Sequence, residues 1–194
     1  MIVAVSRLDF AIDDFLFGIS ESYEQVARAL TRTYPFKMSE RVDLLISILI
    51  EVKELRTQPI FFDGFLDLNW LGFALDELFE ERNSIAHGAS FFRETRDDRT
   101  LFHFYRYSRE AKNRYQRVEY RISNYGLAHL TERAHVLRRY LENLLRFIQL
   151  GEGWEQDYKV QAEICDNWYL LEKLEIAKRD AETGRLHIPN TGSA

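Results

Sequence analysis

The sequence predicts a mainly α fold: a four-helix bundle carrying a β-hairpin insertion and one additional C-terminal helix. Three observations lead there. Apolar residues make up 46% of the 194-residue chain and prolines number only three, so long helices are affordable and a sizeable core is available. Apolar positions recur at steps of three and four through most of the chain. Between residues 100 and 122 that period gives way to two short runs of aromatic and β-branched residues.

Residues 6 to 34 carry Leu8, Ile12, Phe15, Leu16, Ile19, Tyr23, Val26 and Leu30 at helical spacing. Gly18 is a point of bending, Ser22 with Gln25 forms a capping-box pattern for a second half, and Tyr34-Pro35 stops the run, because a residue before proline is driven out of the helical region. Ser39 is the expected N-cap of the next helix, whose wide stripe (Val42, Leu44, Leu45, Ile48, Leu49, Val52) suits a central position; Pro59 closes it. After a turn at Asp63-Gly64, Leu68, Leu71, Leu75, Leu78 and Phe79 define a third helix. Residues 93 to 99 are polar and read as a loop. Thr100 to Tyr107 and Arg117 to Ile122 then read as a hairpin around a polar turn at Ser108 to Gln116. Leu127, Leu130, Ala134, Leu137, Leu141, Leu144 and Ile148 form the clearest helix, ending at Gly151. A last helix is expected from about Trp154 to Lys178, with a frayed tail from residue 183. Residues 1 to 182 thus form one domain.

The net charge of -5 argues against a uniformly basic nucleic-acid binder, yet its distribution is uneven. From Arg93 to Arg146 there are 13 Lys+Arg against 7 Asp+Glu, so a basic block sits inside an acidic chain and points to a polyanion-facing surface. Arg93, Arg96, Arg99, Arg106, Arg117 and Arg121 are the candidate RNA-binding residues within it. Cys165 is the single cysteine, which excludes an intrachain disulfide and a cysteine-based zinc site. Acidic residues interrupt the apolar N-terminus before a signal sequence forms, and no apolar run reaches the length of a membrane span. A cytoplasmic protein with no membrane partner is expected.

The stretch that carries chemistry is Glu80-Glu81-Arg82-Asn83-Ser84-Ile85-Ala86-His87-Gly88, on the last turns of the third helix. Metal-free RNA cleavage needs a group to take the 2′-hydroxyl proton, a group to protonate the leaving oxygen, and positive charge for the phosphorane oxygens. Histidine suits the proton transfers and arginine's planar fork suits the anion. Asn83 and His87, four apart, share one helix face, so Asn83 is placed to orient the imidazole. Arg82 and His87, five apart, diverge by roughly 140° on an ideal helix and meet only where the helix ends. One histidine is poorly equipped to serve as both acid and base, whereas two copies across a symmetric dimer supply both. With 20 arginines and five histidines, the bare spacing arises by chance about half the time. An ordinary helix end would instead pair Arg82 with a carboxylate one turn back, such as Glu77.

Context gives the spacing weight. Arg82-Asn83-Ser84-Ile85-Ala86-His87, late in the third helix of a helical bundle, resembles the R-x4-6-H motif of the HEPN superfamily, including the polar residue after the arginine. The resemblance covers roughly residues 8 to 150. It implies a metal-independent endoribonuclease acting as a homodimer, with Arg82, Asn83 and His87 of both subunits facing one RNA-binding cleft and no cofactor. It also implies a toxin or phage-defence setting with a protein antitoxin or regulator. Some members silenced by AMPylation carry a tyrosine two residues after the histidine; here that position is Ala89, so such control is not expected. Some HEPN domains are non-catalytic, and a silent helical interaction or RNA-binding module is the alternative.

Other residues point elsewhere only weakly. His129 and His135 are six apart and His103 falls on a strand, so no metal-ligating pattern forms. Cys165, in an apolar helix, reads as core. Phe102, Phe104, Tyr105, Tyr107 and Tyr120, interleaved with arginines, suit base stacking or packing of one hairpin face on the bundle.

Overall fold

The computed structural model describes residues 1–24, 28, 34–35, 37–52, 55, 64–96, 99–111, 114–150 and 158–182. Helix α1 (Ile2–Ser22) starts earlier than its periodicity suggested, because Ala4 and Val5 extend the buried stripe of Leu8, Ile12, Phe15, Leu16 and Ile19. It stops where Tyr23 turns extended; the expected second half lies largely outside the described residues. Helix α2 (Met38–Glu51) is capped at Lys37 rather than Ser39. The cap thus lies two residues before the expected one, and Lys37 ion-pairs with Glu40 in the first turn at 2.7 Å. Pro59 falls outside the described residues.

Helix α3 (Leu68–Ala86) begins at Asp67, whose carboxylate accepts the backbone N–H of Trp70 at 2.9 Å and satisfies one otherwise orphaned donor. Just upstream, Gly64 adopts φ 93°, a left-handed conformation costly for any residue with a Cβ. Leu71, Ala74, Leu75, Leu78 and Phe79 point inward.

The insertion is larger than a hairpin. Three antiparallel strands, β1 (Ala89–Arg96), β2 (Arg99–Ala111) and β3 (Arg114–Ser123), pair in the order β1-β2-β3. The segment expected as a loop from Arg93 is strand through Arg96, each residue from Phe92 on paired with β2. Cross-strand pairing outweighs the poor strand propensity of its charged residues. The β2–β3 turn is correspondingly tighter than Ser108 to Gln116, since pairing continues to Ala111 and Arg114. Alternation splits the sheet: Phe102, Phe104, Tyr120 and Ile122 face the helices, as the packing reading anticipated, while His103, Tyr105 and Tyr107 take the opposite register.

Helix α4 (Asn124–Leu150) is the spine. It packs against α1 on one side and α5 (Tyr158–Glu182) on the other, and the sheet leans on it too. Its stripe, Leu130, Ala134, Leu137, Tyr140, Leu141, Leu144 and Ile148, is fully withdrawn from water. Burying each such side chain is worth about 1.5–3 kcal/mol. Tyr140 hydrogen-bonds the carbonyl of Phe65 at 2.7 Å, fixing the entry to α3. Trp168 of α5 packs edge-on against Trp70 and beside Tyr140, which joins α5 to the shared core. Of the apolar positions at helical spacing on α5, Val160, Ile164, Trp168 and Leu171 are buried and Leu174 is half-buried. The helix runs to Glu182, past Lys178, and the tail lies outside the described residues. Among the described residues no helix is long and apolar enough to cross a membrane.

A polar buttress crosses this apolar frame. The Arg133 guanidinium, on α4, is 2% exposed and contacts Glu77 of α3 at 2.6 Å and Glu175 of α5 at 3.2 Å; Lys178 also binds Glu77. Burial raises the Glu77 pKa, but the hydrogen bonds from Lys178 and Arg133 outweigh it and hold that carboxyl below its usual value. Glu77 is therefore committed to α4 and α5, not to Arg82.

Candidate functional site

The last turn of α3 carries the singled-out residues, and what ends the helix positions them. His87 is the C-cap: its backbone N–H still donates to the Asn83 carbonyl at 3.0 Å, but its ψ of -4° departs from the helix. Gly88 follows because the chain must turn sharply into β1. A Cβ there would collide with the Ser84 carbonyl oxygen and sit 3.1 Å from the Phe104 Cβ. His87 is thus left exposed at the helix end, with Ser84 buried beneath it.

Arg82 and Asn83 are half-buried and joined to each other: the guanidinium donates to the Asn83 carboxamide oxygen at 2.8 Å. That oxygen is engaged by Arg82, and the recorded link from Asn83 to His87 runs through the backbone carbonyl. Arg82 and Asn83 line a cleft of about 230 Å³ with Val5, Ser6 and Asp9 of α1, Met38 and Arg41 of α2, and Phe79. His87 does not line it.

Spacing gave no hint of the cleft's other wall. Arg41, only 14% exposed, bridges two α1 carboxylates, Asp9 at 2.7 Å and Asp13 at 2.8 Å, and the Tyr34 hydroxyl donates to Asp13. Burial raises the Asp9 pKa, Arg41 and Arg82 oppose that rise, and Asp13 adds to it. Burial and the bond to Asp13 together push the Tyr34 phenol up to about 12, so the phenol is a donor throughout the physiological range. Asp9, Arg41 and Tyr34 come from three separate segments and have no common motif. The one sequence signal was a pair of aspartates four apart, Asp9 and Asp13, on the polar edge of an otherwise apolar helix.

Of the candidate RNA-binding arginines, Arg93, Arg99, Arg117 and Arg121 do not line this cleft. Arg93 lies over the Phe102 ring at 5.8 Å, and Arg117 stacks over Tyr105 at 4.5 Å while pairing with Glu119 at 3.1 Å. Arg99 and Arg121 border a separate cavity between the sheet, α4 and α5. Arg96 and Arg106 lie on β1 and β2, and their side chains fall outside the described residues. The His129 Nε2–H donates to the Leu174 carbonyl at 2.8 Å, bracing α4 against α5, and Cys165 is half-buried. Among the described residues no cluster of His, Cys, Asp and Glu has the makings of a metal site. No family model, no curated protein and no solved structure matches the chain.

Proposed function

We propose that this protein is a metal-independent endoribonuclease of HEPN type, acting as a homodimer whose two Arg82–Asn83–His87 sets face one RNA strand. The observation that carries the reading is the Arg82–Asn83 clasp on a polar cleft wall, with His87 exposed one turn further at the same helix end. In this reading one His87 takes the 2′-hydroxyl proton as that oxygen attacks phosphorus, forming a 2′,3′-cyclic phosphate. The partner's His87 gives a proton to the departing 5′-oxygen, and Arg82 neutralises the equatorial oxygens while Asn83 holds its guanidinium.

A feature of α1 supports the dimer. Val3, Phe10 and Phe17 are 67%, 68% and 54% exposed at seven-residue spacing, so they form one apolar stripe along the helix. Ser6 and Asp9, on the neighbouring edge, line the cleft. Joining two copies along that stripe sets the clefts side by side. The implied setting is a toxin or phage-defence effector restrained by a protein antitoxin or regulator.

The test is RNA cleavage in EDTA by the wild type and His87→Ala, with mass measured by light scattering. Loss of cleavage in the variant and a dimeric mass are expected. Equal activity in both, no cleavage of varied RNAs by the wild type, or a monomer would each count against the reading.

One observation favours a catalytically silent interaction module. Asp9 places a carboxylate inside the cleft, which opposes an incoming phosphate, and the Arg82 guanidinium is already engaged by Asn83. Intact RNA together with a stoichiometric protein partner would select that module.

A further inference from the structure

A concavity larger than the Arg82 cleft lies away from it. It has a volume of about 780 Å³ and opens between β3, the start of α4 and the end of α5. That volume falls within the range of small-molecule sites, about 300–1,000 Å³. Its floor is apolar, from Leu101, Ile122, Leu130 and Ala177. Two phenol rings, Tyr120 and Tyr125, flank it, the first half-buried and the second exposed. Its rim carries Arg99, Arg121 and Lys178 against the single carboxylate of Glu81 among the described lining residues.

The chemistry of that lining is specific. Lys178 is bound to Glu77 and Arg121 lies 4.0 Å from Glu119, so an anion at the rim would be met chiefly by the guanidiniums of Arg99 and Arg121, and inorganic phosphate alone would not fill an apolar floor. Arginine beside tyrosine rings suits a flat aromatic group with an attached anion, since the rings stack and the guanidinium meets the phosphate in a fork. Edge recognition is also available. Burial, with the charges of Glu81 and Glu77, pushes the Tyr120 phenol up, so its hydroxyl stays a donor. His129 is held by the Leu174 carbonyl at 2.8 Å, which fixes its ring at the cavity wall.

From this juxtaposition we infer that the cavity is a mononucleotide site, with the base between Tyr120 and Tyr125 over the apolar floor and the phosphate on Arg99 and Arg121. The location has a consequence for α3. Glu81 lines this cavity and Arg82, the next residue, lines the smaller cleft, so adjacent residues of α3 face the two sites. Binding itself is independent of ribonuclease activity.

The test is isothermal titration of the full chain, without RNA, using AMP, GMP, CMP and UMP, with adenosine and inorganic phosphate as controls. At least one nucleotide is expected to bind with a Kd below about 1 mM, and adenosine and phosphate at least about tenfold more weakly, each having lost one half of the recognition. Two variants at exposed positions locate the site: Arg121→Glu reverses a rim charge, and Ala177→Phe fills the cavity. Each should weaken binding about tenfold or more while the far-ultraviolet circular dichroism is unchanged. Failure of all four nucleotides to bind, or binding that both variants leave intact, would overturn the assignment. So would laurate binding the wild type more tightly than every nucleotide, since that outcome makes the site one for lipid-like anions.

Discussion

Arg133→Met offers the sharpest test of how the helices are held together. Methionine keeps much of the volume and removes the charge that Glu77 and Glu175 face. Arg133 is 2% exposed and its Nη1 donates to Glu77 at 2.6 Å, whereas Nη2 lies 3.2 Å from Glu175 without hydrogen-bond geometry. Removing the guanidinium leaves Glu77 with Lys178 and strips Glu175 of the buried counter-charge beside it, a loss of about 3–5 kcal/mol for a broken buried pair. Lys178→Met should cost less, because Lys178 is more exposed and Arg133 remains on Glu77. Adding Glu175→Gln to Arg133→Met should recover part of the loss, since an amide tolerates burial without a cation. Urea denaturation followed by circular dichroism measures all of these, provided the slope with denaturant is unchanged. The pH dependence gives a second readout. The folded Glu77 pKa lies below the unfolded value of 4.5, so its contribution is present above that value and is lost as pH falls through the folded pKa. Wild type should therefore lose stability on acidification below about pH 4.5, with a shallower dependence in Arg133→Met. A loss under about 1 kcal/mol at neutral pH would refute the buttress as a structural tie.

Three further outcomes follow from local geometry. Gly88→Ala should lower stability by about 1–3 kcal/mol, since its Cβ meets the Ser84 carbonyl and Phe104; a thermal melt checks this. Asp67→Ala should cost about 1 kcal/mol by unsatisfying the Trp70 N–H, and Asp67→Asn much less, again by thermal melt. Phe10→Asp should leave the fold intact, because the ring is exposed, yet abolish self-association in light scattering; an unchanged dimer would move the interface off α1.

Much of the helical frame was legible because one period specifies one face. Leu130, Ala134, Leu137, Leu141, Leu144 and Ile148 all lie at 4% exposure or below, as their three- and four-residue steps require, while Leu127 at the start of the stripe is half-buried. Helix starts were less legible. No cap was read for α3, where Asp67 satisfies the Trp70 N–H, and Lys37 takes the α2 N-cap position expected of Ser39, with no side-chain cap bond. β1 was missed since Arg93, Glu94 and Arg96 have little intrinsic preference for a strand; their pairing with Phe102, Leu101 and Arg99 is a tertiary effect that no window of residues encodes.

The same distinction separates the two halves of the candidate site. Arg82, Asn83 and His87 were singled out because they fall within six consecutive residues at one helix end. Asp9, Arg41 and Tyr34 were not, since they meet only when α1 and α2 pack together and Tyr34 reaches Asp13. Their charges change what the motif means. A bare Arg82 would be an anion site; an Arg82 clasped by Asn83 and facing Asp9 and Arg41 is held in a fixed orientation at a nearly balanced cleft. An RNA phosphate entering from solvent must displace one of those internal contacts or be met by His87 and a second protomer at the open edge. On the proposed reading, self-association along the α1 stripe would supply that second protomer, so the proposed dimer and the proposed chemistry stand or fall together.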